Sequence, residues 1–294
     1  VADRFAHFAA IDWSGAIGER HKGIAVAVCD ADGGPPRQVR PGHRWSREDV
    51  LRWLLEDMPP ETLVGLDLGA SLPFADCGAF FPGWEETPPD AKALWALVDS
   101  ICRDDPHLGA SNFVDHPEIS RFFRRHGGRE GDLFHHQDAT HRRGRFRVTE
   151  RAQAAMGCKP YSNFNLVGAA QVGKSSLTGM RVLHRLAGQI AVWPFDPLPP
   201  SGSVVVEIYT AIAAMAGGRT ASRSKMKSRA ELNDALASLG SPPVTGAGPI
   251  DDHSADALLA AVWLRTAAPR AELWQPAGLD AEIARTEGWT FGAA

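Results

Sequence analysis

A chain of 294 residues with 44% hydrophobic and 22% charged residues has ordinary globular composition, enough for one large core or two modest ones, which argues against overall disorder. The formal net charge of −4 argues against a global field that gathers polyanions, so a nucleic-acid partner has to be met by a local basic surface. Cys29, Cys77, Cys102 and Cys158 are scattered without a C-x-x-C pair, against a zinc ribbon, a thioredoxin-like site or a disulfide scaffold. With no basic leader in Val1-Ala-Asp-Arg-Phe5 and no charge-free stretch of membrane length, the expectation is a soluble, cytoplasmic protein that does not enter membranes.

In chain order, the short apolar runs from Phe8 to Asp12 and from Gly23 to Asp30, separated by a Gly/Glu/Arg-rich turn, predict a hairpin. Val50, Leu51, Trp53, Leu54 and Leu55 recur at helical spacing after Ser46, whose partner Asp49 stands three residues on, so a capped helix is predicted over 46–57. Thr62-Leu-Val-Gly-Leu-Asp67 reads as a buried strand. From about residue 69 to 202 the pattern breaks into Pro- and Gly-punctuated pieces, with helices predicted over 90–102 and 177–186, and is taken as an insertion elaborating the core of a single domain, 1–294. A strand resumes at Ser203-Val-Val-Val-Glu207-Ile-Tyr, a basic linker runs from Arg219 to Arg229, and a last helix is predicted over 252–266.

The chemistry concentrates in the acids. Asp12 and Asp67 end two apolar strands, at the edge where α/β sheets place ligands, although either one alone fits a turn former or helix cap. On the last helix Asp252, His253 and Asp256 stand at i, i+1 and i+4; one of Asp251 and Asp252 suits the N-cap, whereas Asp256 lies a full turn in, beside an apolar stripe where an uncompensated carboxylate is costly. Phosphoryl transfer with two metal ions needs several hard oxygen ligands converging, so Asp12, Asp67 and Asp256 form the candidate set, Asp252 a further metal ligand and His253 a general base or ligand. Glu207, inside a buried strand, is the fourth candidate acid.

These residues, in this order, resemble the RNase H-like superfamily: an Asp-bearing first strand (Ile11-Asp-Trp-Ser-Gly15), a hairpin, a helix, an acid-bearing strand (Gly65-Leu-Asp67-Leu-Gly69) and a final helix carrying His253-Ser-Ala-Asp256-Ala. Within it the pattern is similar to the Holliday-junction resolvase branch, and Val205-Val-Glu207-Ile-Tyr with Asp251-Asp-His-Ser-Ala-Asp256-Ala is similar to a bacterial family of predicted RNase H-like nucleases. The resemblance spans residues near 8–75 and 203–267. It implies an α/β core, with a central mixed sheet and helices on both faces, and a nuclease dependent on Mg²⁺ or Mn²⁺ whose acids are Asp12, Asp67, Asp256 and either Glu207 or Asp252. It departs at Asp67, where the resolvases carry a longer Glu.

An acidic site repels nucleic acid until metal fills it, so neighbouring cations are needed. Two segments offer them: the stretch from Arg121 to Arg147, with Arg142, Arg143, Arg145 and Arg147 interleaved with Phe122, Phe123 and Phe146, and the linker with Lys225 and Lys227. The expected partner is DNA or RNA, structured or branched forms first; the opposing expectation is that these arginines pair with Glu130, Asp132, Asp138 and Glu150. Rival functions remain. Gly168-Ala-Ala-Gln-Val-Gly-Lys174-Ser175 matches the phosphate-binding G-x-x-x-x-G-K-[ST] loop of nucleotide hydrolases, but Tyr161-Ser-Asn-Phe-Asn-Leu-Val before it is not a clean strand. Asp12-Trp-Ser-Gly and Asp67-Leu-Gly loosely resemble the loops of actin-like ATPases, and a non-catalytic nucleic-acid-binding module is a third alternative. His135, His136 and His141 match no standard metal spacing.

Overall fold

The computed structural model describes residues 4–135, 139, 143–168, 171–220 and 224–294. The front of the chain forms the expected hairpin, β1 (His7–Asp12) and β2 (Ala25–Asp30), joined by a two-residue edge strand β3 (Arg37–Gln38). Helix α1 (Arg47–Arg52) starts where the sequence indicates: Ser46 accepts from the Asp49 amide at 2.9 Å while Asp49 accepts from the Ser46 amide at 3.2 Å. A π-turn, Trp53–Asp57, finishes that helix before β4 (Thr62–Asp67). The elements that follow are α2 (Ala91–Ile101), α3 (Ser111–Asp115), α4 (Val148–Ala155), α5 (Val172–Arg185), β5 (Ala191–Trp193) and β6 (Val204–Glu207). Helices α6 (Thr210–Ala216), α7 (Arg229–Ser238), α8 (Asp252–Ala267) and α9 (Ala281–Thr286) complete the chain.

The six strands make one mixed sheet in the order β3-β2-β1-β4-β6-β5, with β1–β2 and β2–β3 antiparallel and β1–β4, β4–β6 and β6–β5 parallel. Period-two alternation sends Phe8, Ala10, Ala27, Leu63, Val204 and Val206 into one apolar layer with α6, α7 and α8. Ala9, Ile11, Val26, Val64, Leu66 and Val205 enter another with α1, α2 and α5. Gly65 is required in the first layer: a Cβ there would lie 2.6 Å from Ile208 and 3.0 Å from Leu264, so its absence lets α8 settle close on β4.

Residues 69–202, expected as an insertion elaborating the core, supply α2 and α5, which pack with α1 in one of the two apolar layers, and β5 at the sheet's edge. A sheet face left by α1 alone would be exposed to water, and the middle of the chain closes it. Phe122 and Phe123, expected as base contacts, are buried in this layer, and Phe146 is buried too. Among the described residues no helix is long and apolar enough to cross a membrane, and the four cysteines form no disulfide.

Candidate active site

Strand register assembles the acids. Asp12 pairs directly with Asp67 on the neighbouring parallel strand. By alternation Asp12 shares the face of Phe8 and Ala10, and Asp67 that of Leu63 and Gly65, so both project toward α8. Asp256, one turn into α8, is 5% exposed and meets them from the helix side. Asp251 caps α8 by accepting from the Ser254 amide at 2.9 Å, which frees Asp252 and Asp256 from that task.

Each carboxyl has a distinct partner. His253 Nδ1 donates to Asp12 Oδ2 at 2.8 Å, the Thr210 hydroxyl donates to Asp67 Oδ2 at 3.0 Å, and the Lys225 ammonium donates to Asp256 Oδ2 at 2.6 Å while lying 3.5 Å from Asp252. Burial, then the negative charge of Asp12 and Asp256, pushes Asp67 up to about 8 against the hydrogen bonds from Thr210. Burial also raises Asp12, opposed by His253 and Lys225, and lifts Asp256 to about 6 against Lys225. The Asp12 hydrogen bond raises His253 in turn, and Asp256 outweighs partial burial to hold Lys225 firmly charged. Lys225, expected to contact nucleic acid, is thus the internal counter-ion of Asp256.

Three carboxyls in mutual repulsion, with hard oxygen donors, suit Mg²⁺ or Mn²⁺ in kind, and Asp12, Asp67 and Asp256 are the residues that would hold it. Their present disposition is different: His253 engages Asp12 and Lys225 engages Asp256, and among the described residues no group of three or more His, Cys, Asp or Glu side chains is disposed to hold a metal ion. Each partner holds the Oδ2 oxygen of its carboxyl.

Glu207 does not join this set. It shares the face of Val205, opposite Asp12 and Asp67, and its carboxylate is saturated by Arg147 at 2.6 and 2.8 Å, by the Ala70 amide at 2.7 Å and by the Thr290 hydroxyl. Arg147 also grips Glu150 at 2.6 Å, and burial raises Glu150 despite that pair. Arg145 is equally enclosed, bound to Asp76 at 2.6 and 2.8 Å and to the carbonyls of Pro73, Ala79 and Phe80. Arg145 and Arg147, each 1% exposed, are therefore structural cations and not a polyanion surface. Arg143 lies over the Tyr161 ring at 6.0 Å, Lys227 is exposed, and Arg142 falls outside the described residues. Pairing of Arg121 with Asp132 and of Arg124 with Glu130 follows the opposing expectation.

The G-x-x-x-x-G-K-S segment has no strand before it: residues 161–167 contribute a single bridge, Asn165 to Arg124, and Ala169 and Ala170 lie outside the described residues. Lys174 and Ser175 belong to the first turn of α5, which packs on the loop after β1 so tightly that a Cβ on Gly15 would come within 2.3 Å of the Lys174 carbonyl carbon. His135 pairs with Glu130, while His136, Asp138 and His141 fall outside the described residues.

A cavity of about 480 Å³ opens beside Asp67, between the Trp13–Ala16 loop, the start of α5 and residues 159–163. Its walls include Tyr161, Tyr209 and Asn163, none singled out by sequence, and Thr210 was equally silent; a threonine three residues beyond a strand's last residue was the signal available for it. Compared with family models, with curated proteins and with solved structures, the chain matches none.

Proposed function

We propose that this chain is an RNase H-like nuclease that hydrolyses phosphodiester bonds of DNA or RNA at Asp12, Asp67 and Asp256, in the cytoplasm, with Mg²⁺ or Mn²⁺ as cofactor. The observation that carries this reading is the meeting of the three carboxyls from two adjacent parallel strand ends and a facing helix, with Asp67 held up to about 8 by burial and by the other two. Packing gains nothing from such mutual repulsion, and strained acids of this kind concentrate where chemistry is done. The β3-β2-β1-β4-β6 order, three antiparallel strands followed by two parallel to β1, supports the superfamily reading.

When bound, a divalent ion would supply an activated water and charge for the leaving oxygen. The chain's own residues prepare the place for it. Thr210 fixes the Asp67 carboxyl, His253 fixes Asp12, and Lys225 keeps Asp256 compensated while the acids are otherwise alone. His253, beside Asp12 and partly exposed, is positioned to take or return a proton at Nε2. Lys227 and Arg143 are the candidate phosphate contacts left once Arg145 and Arg147 are assigned to the interior.

The test is a cleavage screen over single-stranded, duplex, branched and hybrid DNA and RNA with Mg²⁺ or Mn²⁺, with Asp67→Asn as control. The expected result is cleavage of at least one substrate, reduced by about 10²-fold or more in Asp67→Asn. Absence of both cleavage and low-salt binding for every polymer refutes the reading.

A further inference from the structure

The chain contains two tyrosines in 294 residues, and both line the cavity beside Asp67. Tryptophan and phenylalanine build the two apolar layers; Tyr209 packs against one of them as well as lining this concavity. Tyr161 stands at 41% exposure, one of two large apolar side chains exposed among the described residues, with the Arg143 guanidinium 6.0 Å from its ring centre. Tyr209 is half-buried, and burial with nearby Asp67 pushes its hydroxyl up to about 12, so it remains a hydrogen-bond donor at neutral pH.

Asn163 adds an independent sign of a ligand. It lines the same cavity, is fully buried, and donates from Nδ2 to the Ser71 carbonyl at 2.7 Å, yet its Oδ1 has no hydrogen-bond partner among the described residues. A buried acceptor left empty is costly unless something brings an N–H or O–H to it. The start of α5 also faces this space through Gln171, Val172 and Ser175, but its Gly173 amide already donates to the Asn165 carbonyl at 3.0 Å, so the helix end is compensated by backbone. Lys159 is a further wall residue.

Aromatic rings, an acceptor wanting an N–H, and the cations Lys159 and Arg147 among walls that also carry Asp67, Glu150 and Glu207 together match a nucleotide: a base that stacks on phenols and offers an N–H, joined to a phosphate. A volume of about 480 Å³ is at the scale of a small-molecule site and does not admit a duplex. We propose that the cavity receives one unpaired nucleotide of the substrate strand, its base between Tyr161, Tyr209 and Asn163 and its phosphate toward Lys159. This rests on the nuclease reading, and it makes the substrate a strand with an unpaired or extruded residue next to the scissile bond.

The experiment is calorimetric titration of the metal-free protein with AMP, CMP, GMP and UMP, repeated on Tyr161→Ala and Tyr161→Phe. The expected result is saturable binding of the nucleotides, weakened about 5- to 100-fold by Tyr161→Ala and retained by Tyr161→Phe, as loss of one stacking ring predicts. Tyr161 is exposed, so the variant is expected to fold; circular dichroism and an unchanged melting temperature check this. Absence of binding up to roughly 10 mM, or affinities that ignore Tyr161→Ala, overturns the proposal. Nucleotide binding without strand cleavage in the screen above would fail the nuclease reading alone, whereas cleavage without nucleotide binding would fail the cavity assignment alone.

Discussion

Glu207 and Asp67 stand near the ends of neighbouring parallel strands, yet their surroundings are opposite in kind. On the α2/α5 face Glu207 meets Arg147, a backbone amide and a hydroxyl, and with Glu150 forms a buried network in which the Glu207 carboxylate oxygens have donors. On the α8 face Asp67 meets one threonine and two other acids, and rises to about 8 in consequence. The same chemical group is made inert by a bidentate guanidinium on one side of the sheet and left strained on the other. A buried acid is therefore informative about function through what compensates it, and not through burial alone.

The comparison is broken most directly at the compensated end. Arg147→Met removes the shared cation and leaves two buried carboxylates unpaired, with a destabilisation of about 3–5 kcal/mol expected, read as a shift of the urea unfolding midpoint. A loss below about 1 kcal/mol would mean that the network holds little and that Glu207 is free for other work.

At the strained end the sign reverses. Asp67 has a folded value raised from 3.8 to about 8, so its contribution to stability is fully present below the unfolded value and is lost as pH rises from about 4 to about 8. Asp67→Asn, fixed in the neutral form, is expected to match wild type near pH 4 and to gain on it up to pH 8, by at least ~1 kcal/mol or roughly 2–4 °C in Tm. Equal melting curves at pH 8 would show that the acids do not repel one another.

The smallest effect belongs to Lys225. Its side chain is half-exposed, so Lys225→Met is expected to cost less than about 1 kcal/mol after solvent screening. The same change should move Asp256 further above about 6, since burial then acts without the ammonium that opposes it. Carboxyl-carbon NMR titration reads this; an unmoved Asp256 would separate Lys225 from the site.

Local signals carried much of this molecule. Short apolar runs gave β1, β2, β4 and β6; the Ser46–Asp49 reciprocity gave the start of α1; Asp90 and the apolar stripe gave α2; and the Asp251-Asp-His run gave the start of α8. These depend on neighbours within about one turn or one strand, which a sequence displays directly. The three-residue β5 and the short α4 and α9 were too brief to show a period, and α6, apolar throughout its Ala-rich run, has no polar face to mark it. Asp12, Asp67 and Asp256 were legible as an ordered set, but that Asp12 lies directly beside Asp67 is a matter of strand register, and that Glu207 faces away is a matter of which face each layer covers. Only packing decided, too, that Arg145 and Arg147 point inward and that Lys225 compensates Asp256, because a charged side chain in a loop reads the same whether it meets water, phosphate or a buried carboxylate until the rest of the chain has closed around it.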